Sequence, residues 1–382
     1  MKLFYKEQGH IGVDIGAHGI KVVELYKKKD RPLLWTYGIL DQRLDIHIPD
    51  PPAEVEMSTN GQRGGNSQKK IFPANVLDDR RVKEYGGLLK TLLKQSNVTS
   101  THATASLPVS YIFHAVVTLP RVDKKDVDRL VRAEIKKMLS RPVEEMQVVH
   151  QEIPSVTNPG TDANVTQNTP VRYLVTAAPK ELIGFYSTIF AGAGLELREL
   201  ETEAFALERS LVGKDTGTVM VVDIGAERTN FFIIDQSLPI THRSIQMGGD
   251  TINEKLAEMF DIDMAVAGKI KYDIARLRAD FIQTDAFFSI TDPIIKEIEY
   301  SFDLFLHQSG HEEKRPEKII LTGGSALFPF IQKDIARAFP MKVFVGDPWA
   351  HVVYQQDLKT ILGSIGPRMA VSIGLALRHF ND

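Results

Sequence analysis

The stretch Asp14-Ile15-Gly16-Ala17-His18-Gly19-Ile20-Lys21 joins two apolar runs, 11–15 and 20–26, that alternate at strand period, and 33–40 reads as a third strand behind them. Its echo is Asp223-Ile224-Gly225-Ala226-Glu227-Arg228-Thr229-Asn230, entered by an apolar run over 218–224 and followed by strands over 230–235 and 239–246. A strand, an Asp-Ile-Gly turn and a second strand thus open each half of the chain. The economical reading is an internally duplicated α/β unit. Two such lobes face each other across a cleft, and clefts between lobes are where ligands bind.

Outward from the first turn, 48–70 carries Pro49, Pro51, Pro52, Gly61, Gly64 and Gly65 and reads as a polar loop. A helix follows with Val82, Tyr85, Leu88, Leu89, Leu92 and Leu93 on one face. Strands are predicted over 103–107, 113–119, 148–153 and 171–178, with helices over 123–140 and 180–193 and a second polar loop over 154–170. The 123–140 stripe is Val127, Leu130, Val131, Ile135, Met138 and Leu139. After the second turn come helices near 250–260, 264–277 and 291–308. A strand over 318–321, a helix to 339, a strand over 342–345 and a last helix over 366–380 complete the chain. The domains are then 1–200, holding a small subdomain about 78–170, and 201–382, holding a helical subdomain about 250–316. The final helix returns to the first lobe.

The chemistry of the turns suits a metal-bound polyphosphate. Gly16 and Gly19 let the backbone approach a ligand, and the N–H groups around Ala17 and His18 form an anion nest. Lys21 supplies a point charge for a β- or γ-phosphate. Gly225, Ala226, Thr229 and Asn230 repeat the device from the other lobe. Asp14 and Asp223 are the candidate Mg²⁺ carboxylates, since Mg²⁺ takes one or two carboxylates plus waters and phosphates. In Leu321-Thr322-Gly323-Gly324-Ser325, the paired glycines leave room for an adenine and ribose, and a helix start favours a phosphate. Gly248-Gly249-Asp250 opens a helix whose Glu254 and Lys255 are candidates for the ribose or adenine edge. Each motif has an ordinary reading alone: a hairpin turn, a strand-to-helix turn with a Ser cap, an Asp N-cap. Their order carries the signal.

With 46 Lys+Arg against 49 Asp+Glu and a net charge of -3, a general nucleic-acid binder is excluded. There are no cysteines, which removes disulfides, thiolate metal sites and thiol catalysis. No secretory signal or run of ~20 apolar residues is read in the sequence, so a cytoplasmic protein is expected, attached to a membrane only through a partner.

The ordered set resembles the superfamily of actin, hexokinase and the DnaK-type chaperones. The resemblance implies an actin-like ATPase fold: two ribonuclease-H-like lobes about a cleft for ATP or ADP with Mg²⁺. The aspartate turns are then phosphate loops, and Gly323-Gly324 the adenosine loop. Glu201-Thr202-Glu203-Ala204 falls at the first connecting helix, making Glu201 the candidate for positioning an attacking water. A solvated carboxylate in a helix first turn is its ordinary alternative. The second connecting helix would be Ser372-Ile373-Gly374-Leu375-Ala376, with Gly374 permitting close packing.

Within that superfamily the chain is similar to the PilM family of type IV pilus assembly. The resemblance rests on Gly12-Val13-Asp14-Ile15-Gly16, on Arg243-Ser244-Ile245-Gln246-Met247-Gly248-Gly249, and on Ser106-Leu107-Pro108-Val109 with Thr118-Leu119-Pro120 and Pro142-Val143-Glu144-Glu145. The last set resembles a small subdomain shared with FtsA. The family implies a scaffold at the inner membrane that binds the N-terminal tail of a PilN-like membrane protein, in a groove built here from 103–119 and 123–140. Other alignment-complex or motor proteins, and a second copy, are further implied partners. Ala17 and His18 replace the hydroxyls usual in that family's first loop, so nucleotide binding with weak or no hydrolysis is expected. The competing readings are an FtsA-like filament former and a small-molecule kinase of the same fold.

Overall fold

The structure is a computed structural model that describes residues 9–29, 31–46, 79–154, 170–274, 287–309 and 314–380. The predicted polar loops lie almost wholly outside these residues. The chain opens with a three-stranded antiparallel meander, β1 (His10–Gly16), β2 (Gly19–Lys28) and β3 (Arg31–Leu40). After α1 (Arg80–Gln95), β4 (His102–Leu107) returns parallel to β1. An excursion follows: β5 (Phe113–Leu119), α2 (Lys124–Ile135), β6 (Met146–Glu152) and β7 (Val171–Pro179) build a separate sheet of order β5-β7-β6. Then α3 (Lys180–Ala193) leads to β8 (Glu196–Thr202), parallel to β4, and completes a sheet of order β3-β2-β1-β4-β8.

The second half repeats the plan. α4 (Glu203–Leu207) and a π-helical turn over Glu208–Val212 precede the meander β9 (Val219–Ile224), β10 (Thr229–Asp235) and β11 (Leu238–Ile245). Next come α5 (Gly249–Phe260), α6 (Met264–Ile274), α7 (Phe288–Ser309), β12 (Lys318–Thr322), α8 (Pro329–Ala338), β13 (Lys342–Val345) and α9 (Lys359–Ala376). The order β11-β10-β9-β12-β13 matches the first sheet strand for strand.

Burial explains the composition of the strands. β1 and β9 are buried almost throughout, as central strands covered on both faces must be. In the first lobe Val82, Tyr85 and Leu89 of α1 pack with Leu182, Phe185 and Ile189 of α3 on one face of the sheet. α9 covers the other face at very short range. A Cβ on Gly12 would lie 2.0 Å from the Ser372 carbonyl oxygen. One on Gly374 would lie 1.8 Å from the Ala206 carbonyl oxygen. The stretch Gln356–Phe380 is long and apolar enough to span a membrane, contrary to the sequence reading, but 67% of its most apolar window is buried inside the protein.

Several predicted boundaries move. The expected 123–140 helix ends at Ile135, and Met138, assigned to its buried stripe, is exposed. α8 starts at Pro329, so Gly323-Gly324-Ser325 form a free turn and Ser325 is not a cap. α9 starts at Lys359, about two turns before 366. Strand β8 was not expected at all.

Candidate functional site

The two Asp-Ile-Gly turns meet in one cleft of about 430 Å³, with Asp14 and Asp223 both on its wall. Asp14 stands opposite Lys21 in the β1–β2 register, and the Lys21 ammonium is 2.9 Å from its Oδ2. Ser106 Oγ donates to the other oxygen at 3.4 Å. The first turn is tight enough to demand Gly19, whose φ of 122° places any Cβ 1.7 Å from the Leu40 carbonyl oxygen. The second turn closes by Gly225 N–H donating to the Arg228 carbonyl at 2.9 Å. The start of α5 is fixed on it, with Gly249 N–H donating to Gly225 and Asp250 N–H to Ala226, each at 2.8 Å. Gly323 (φ 92°) brings the third turn against Asp223, where a Cβ would sit 2.5 Å from Oδ1. Three further contacts cross between the lobes. His18 Nε2 lies 3.0 Å from Asp250 Oδ2, and Arg43 lies 3.7 Å from both Asp250 and Glu227.

The acidic floor is electrostatically loaded. Burial first, and the Asp14 charge second, push the Asp223 carboxyl up to about 6. Glu203, at the start of α4, is pushed well above the usual carboxylate range by burial, then by Asp223 and Asp14. It accepts from Asn230 Nδ2 at 3.3 Å, and the nearby Val109 backbone N–H favours its charged form weakly. Asn230 Oδ1 and Asn253 Oδ1 are sealed from solvent with no partner among the described residues. Both side chains line the cleft, and unpartnered buried acceptors of that kind cost free energy.

Most of the expected residues lie on this wall: Asp14, Gly16, Ala17, His18, Lys21, Asp223, Gly225, Ala226, Asn230, Gly249, Gly323, Gly324 and Ser325. Others do not. Gly19 and Gly248 shape the turns from behind. The Thr229 hydroxyl is buried and donates to the Met247 carbonyl at 2.6 Å, so it has no phosphate to meet. Glu254 and Lys255 point away: Glu254 is exposed and Lys255 pairs with Glu258. The cleft face of α5 instead carries Asp250 and Asn253, one turn apart. Glu201 is also displaced. It lies in β8, buried between Arg209 and Arg378, and is absent from the cleft. Glu203, two residues on, lines the cleft instead.

Sequence reasoning also missed Lys271, which is buried on α6 and donates to the Gly249 carbonyl at 3.3 Å, and Arg368 on α9. Neither belongs to a glycine turn, so no local pattern marked them. Among the described residues no group of three or more His, Asp or Glu side chains could hold a metal. The pair Asp14 and Asp223 fits Mg²⁺ all the same, because that ion keeps waters and phosphate oxygens for the rest of its shell.

A second cavity of about 500 Å³ lies where β8, the edge of the first sheet, faces β6, the edge of the three-stranded sheet. Val149, Gln147 and Gln151 line one side, with Leu200, Phe205 and Leu107 on the other. The expected contribution of 123–140 is not there. Val127, Val131 and Ile135 of α2 pack on Val117, Met146 and Val148, the face of that sheet turned away from the groove.

Two matching five-stranded sheets with acidic turns converging on one cleft, and a small sheet inserted in the first lobe, define the actin-like ATPase fold. Comparison with known proteins narrows this class. The family model described as type IV pilus assembly protein PilM matches residues 56–380, and the chain belongs to that family. A PilM-PilN type IV pilus biogenesis complex matches with 21% identity, 98% of each chain covered and a TM-score of 0.73. The ethanolamine utilization protein EutJ from Carboxydothermus hydrogenoformans matches with 16% identity, 96% of this chain and 88% of its own covered, and a TM-score of 0.51.

Proposed function

We propose that this chain is a nucleotide-binding scaffold of type IV pilus assembly that captures the extended N-terminal tail of a PilN-like inner-membrane protein. The observation that carries the nucleotide reading is the convergence of Asp14 and Asp223, from matching turns of the two lobes, on one cleft. ATP or ADP would lie with its phosphates between the two turns. Mg²⁺, held by Asp14 and Asp223, would neutralise phosphate charge. Lys21 stands beside Asp14 and could turn to a phosphate, and His18 stands at the phosphate end of the cleft. Asn253 and the Gly323-Gly324 turn would face the base and ribose. Glu203 is a poor general base as it stands, since burial and its acidic neighbours favour its neutral form. That agrees with slow or absent hydrolysis.

The groove supports the peptide reading. Two sheet edges with an apolar floor can take an extended segment by strand addition. The protein would then sit peripherally on the cytoplasmic face of the membrane, through that tail.

Titration calorimetry with ATP and Mg²⁺ tests the cleft. Asp14→Ala and Asp223→Ala are each expected to weaken Mg²⁺-dependent affinity about tenfold or more, about 1.4 kcal/mol, with an unchanged circular dichroism spectrum. Wild-type affinity in either variant removes the site assignment. For the groove, Val149→Asp places a charge on an apolar wall, and a fluorescent PilN tail peptide is expected to bind it about tenfold more weakly. Equal binding by anisotropy places the peptide elsewhere.

A further inference from the structure

The cleft and the groove share a wall. Two chain segments form it, and neighbouring residues in each face opposite cavities. In the turn after β4, Leu107 and Ile112 line the groove while Pro108, Val109, Ser110 and Tyr111 line the cleft. At the β8–α4 junction, Glu201, Thr202 and Phe205 line the groove while Glu203 lines the cleft. Along these segments, adjacent residues line the two cavities in turn.

The segments are tied together. β4 and β8 run paired as far as Leu107 and Thr202, where both turn into the wall. One residue beyond, the Glu203 carboxyl stands by the Val109 backbone N–H of the first segment and accepts from Asn230 Nδ2 in the second lobe. α9 braces the far side. Pro367, Arg368 and Val371 line the cleft, and Arg378, just past its end, lines the groove. Arg209 pairs with Glu201 and donates to the Gly374 carbonyl at 2.9 Å, so the wall is bonded to α9 as well.

We propose that occupancy of the groove and occupancy of the cleft are energetically coupled through this shared wall, with Glu203 as the residue that positions it. A peptide laid against Leu107, Thr202 and Phe205 fixes the backbone of both segments. The same backbone sets Val109 and Glu203 on the nucleotide side. A ligand that orders the wall from one side spares the other ligand part of that ordering cost, which makes the cooperativity positive. The inference rests on the reading of the two cavities given above.

The test uses the full chain, ADP in Mg²⁺ buffer, and a synthetic peptide of the PilN N-terminal tail. ADP is titrated with and without saturating peptide. The expected result is an ADP Kd about fivefold or more tighter with peptide, and the same factor in the reverse titration, as reciprocity requires. Glu203→Gln keeps the side-chain shape but gives up one acceptor oxygen. It is expected to bring the factor below about two, a change that simple loss of stability does not produce. Asn230→Ala, which removes the second-lobe hydrogen bond, is expected to act likewise and serves if Glu203→Gln does not fold. In the wild type, peptide alone should slow amide exchange across 107–112. A factor of one in the wild type overturns the coupling while leaving both sites standing. An unchanged factor in both variants overturns the assignment to Glu203. Failure of either ligand to bind at all overturns the scaffold reading and the coupling with it.

Discussion

Gly374→Val is expected to cost about 4 kcal/mol or more of stability and to shift the urea midpoint strongly downward. Gly374 has no room for a side chain: even a Cβ would stand 1.8 Å from the Ala206 carbonyl oxygen, 2.4 Å from its carbon and 2.8 Å from its Cα. All three are backbone atoms, so no rotamer change relieves the clash. Nor can α9 simply withdraw. Its other side rests on β1, where Gly12 meets the Ser372 carbonyl oxygen and the Ala376 nitrogen as closely. Moving α9 would open two cores at once, that around Ala204, Ala206 and Leu375 and that around Val23, Met369 and Ile373. Gly363 is the control on the same helix. Nothing lies within 4 Å of its Cβ position, and Gly363→Ala should raise stability by up to about 1 kcal/mol through helix propensity. A Gly374→Val midpoint equal to that of the wild type would show that the two connecting helices are not in backbone contact.

The fold was legible where short motifs carried backbone constraints. The two Asp-Ile-Gly turns announced both meanders, because a strand–turn–strand unit leaves a local trace of alternating apolar residues around a glycine. Strand β8 left a misleading trace. In Glu196-Leu197-Arg198-Glu199-Leu200-Glu201-Thr202 the apolar residues fall three apart, a helical spacing. The pairing with β4 shows why: the register slips between Ala103 and Thr104, so Leu197 and Glu199 face consecutive partners and Arg198 is bulged out. The helix begins at Glu203, two residues after the start that the resemblance implied, so Glu203 lines the cleft and Glu201 does not.

The same limit explains the rest of the cleft. Glu254 and Lys255 were read from their place after a Gly-Gly-Asp start, but the facing of α5 is set by Ile252 and Leu256 in the core, which turns Asp250 and Asn253 to the cleft. Lys271 and Arg368 reach it from α6 and α9, elements whose approach is fixed by long-range packing that a single sequence does not print. The groove suffered in the same way. The amphipathic face of α2 was visible, but which side of the small sheet it covers depends on Val117, Met146 and Val148 pointing together, and the groove formed on the side left open.

Acid sensitivity gives the second large effect. His242 on β11 stacks on Phe232, ring centroids 5.2 Å apart, and its Nε2 is sealed with no partner among the described residues. Burial, then the neighbouring His114 and Arg243, push its pKa from 6.5 down to about 3. A base whose pKa is depressed by folding favours the native state above its unfolded value. That contribution is lost as pH falls from 6.5 toward about 3. Near pH 4.5 the gap is about two units, or about 2.7 kcal/mol. His10, also pushed down to about 3 by burial, adds in the same direction. Glu208, raised to about 7, and Asp223, raised to about 6, act oppositely and gain stability as pH falls through their own range. The whole-protein profile is therefore a partial cancellation, and a single variant is needed to isolate one side. His242→Phe keeps a flat ring on Phe232 and removes both the unpartnered nitrogen and the titration. Its stability advantage over the wild type is expected to be about 2–3 kcal/mol larger near pH 4.5 than near pH 7.5, by urea unfolding at each pH. Equal advantages at the two pH values would mean that His242 titrates as it does in the unfolded chain. The junction it shares with His114, whose Nε2 lies 3.3 Å from the Ile240 carbonyl oxygen, would then be open to water.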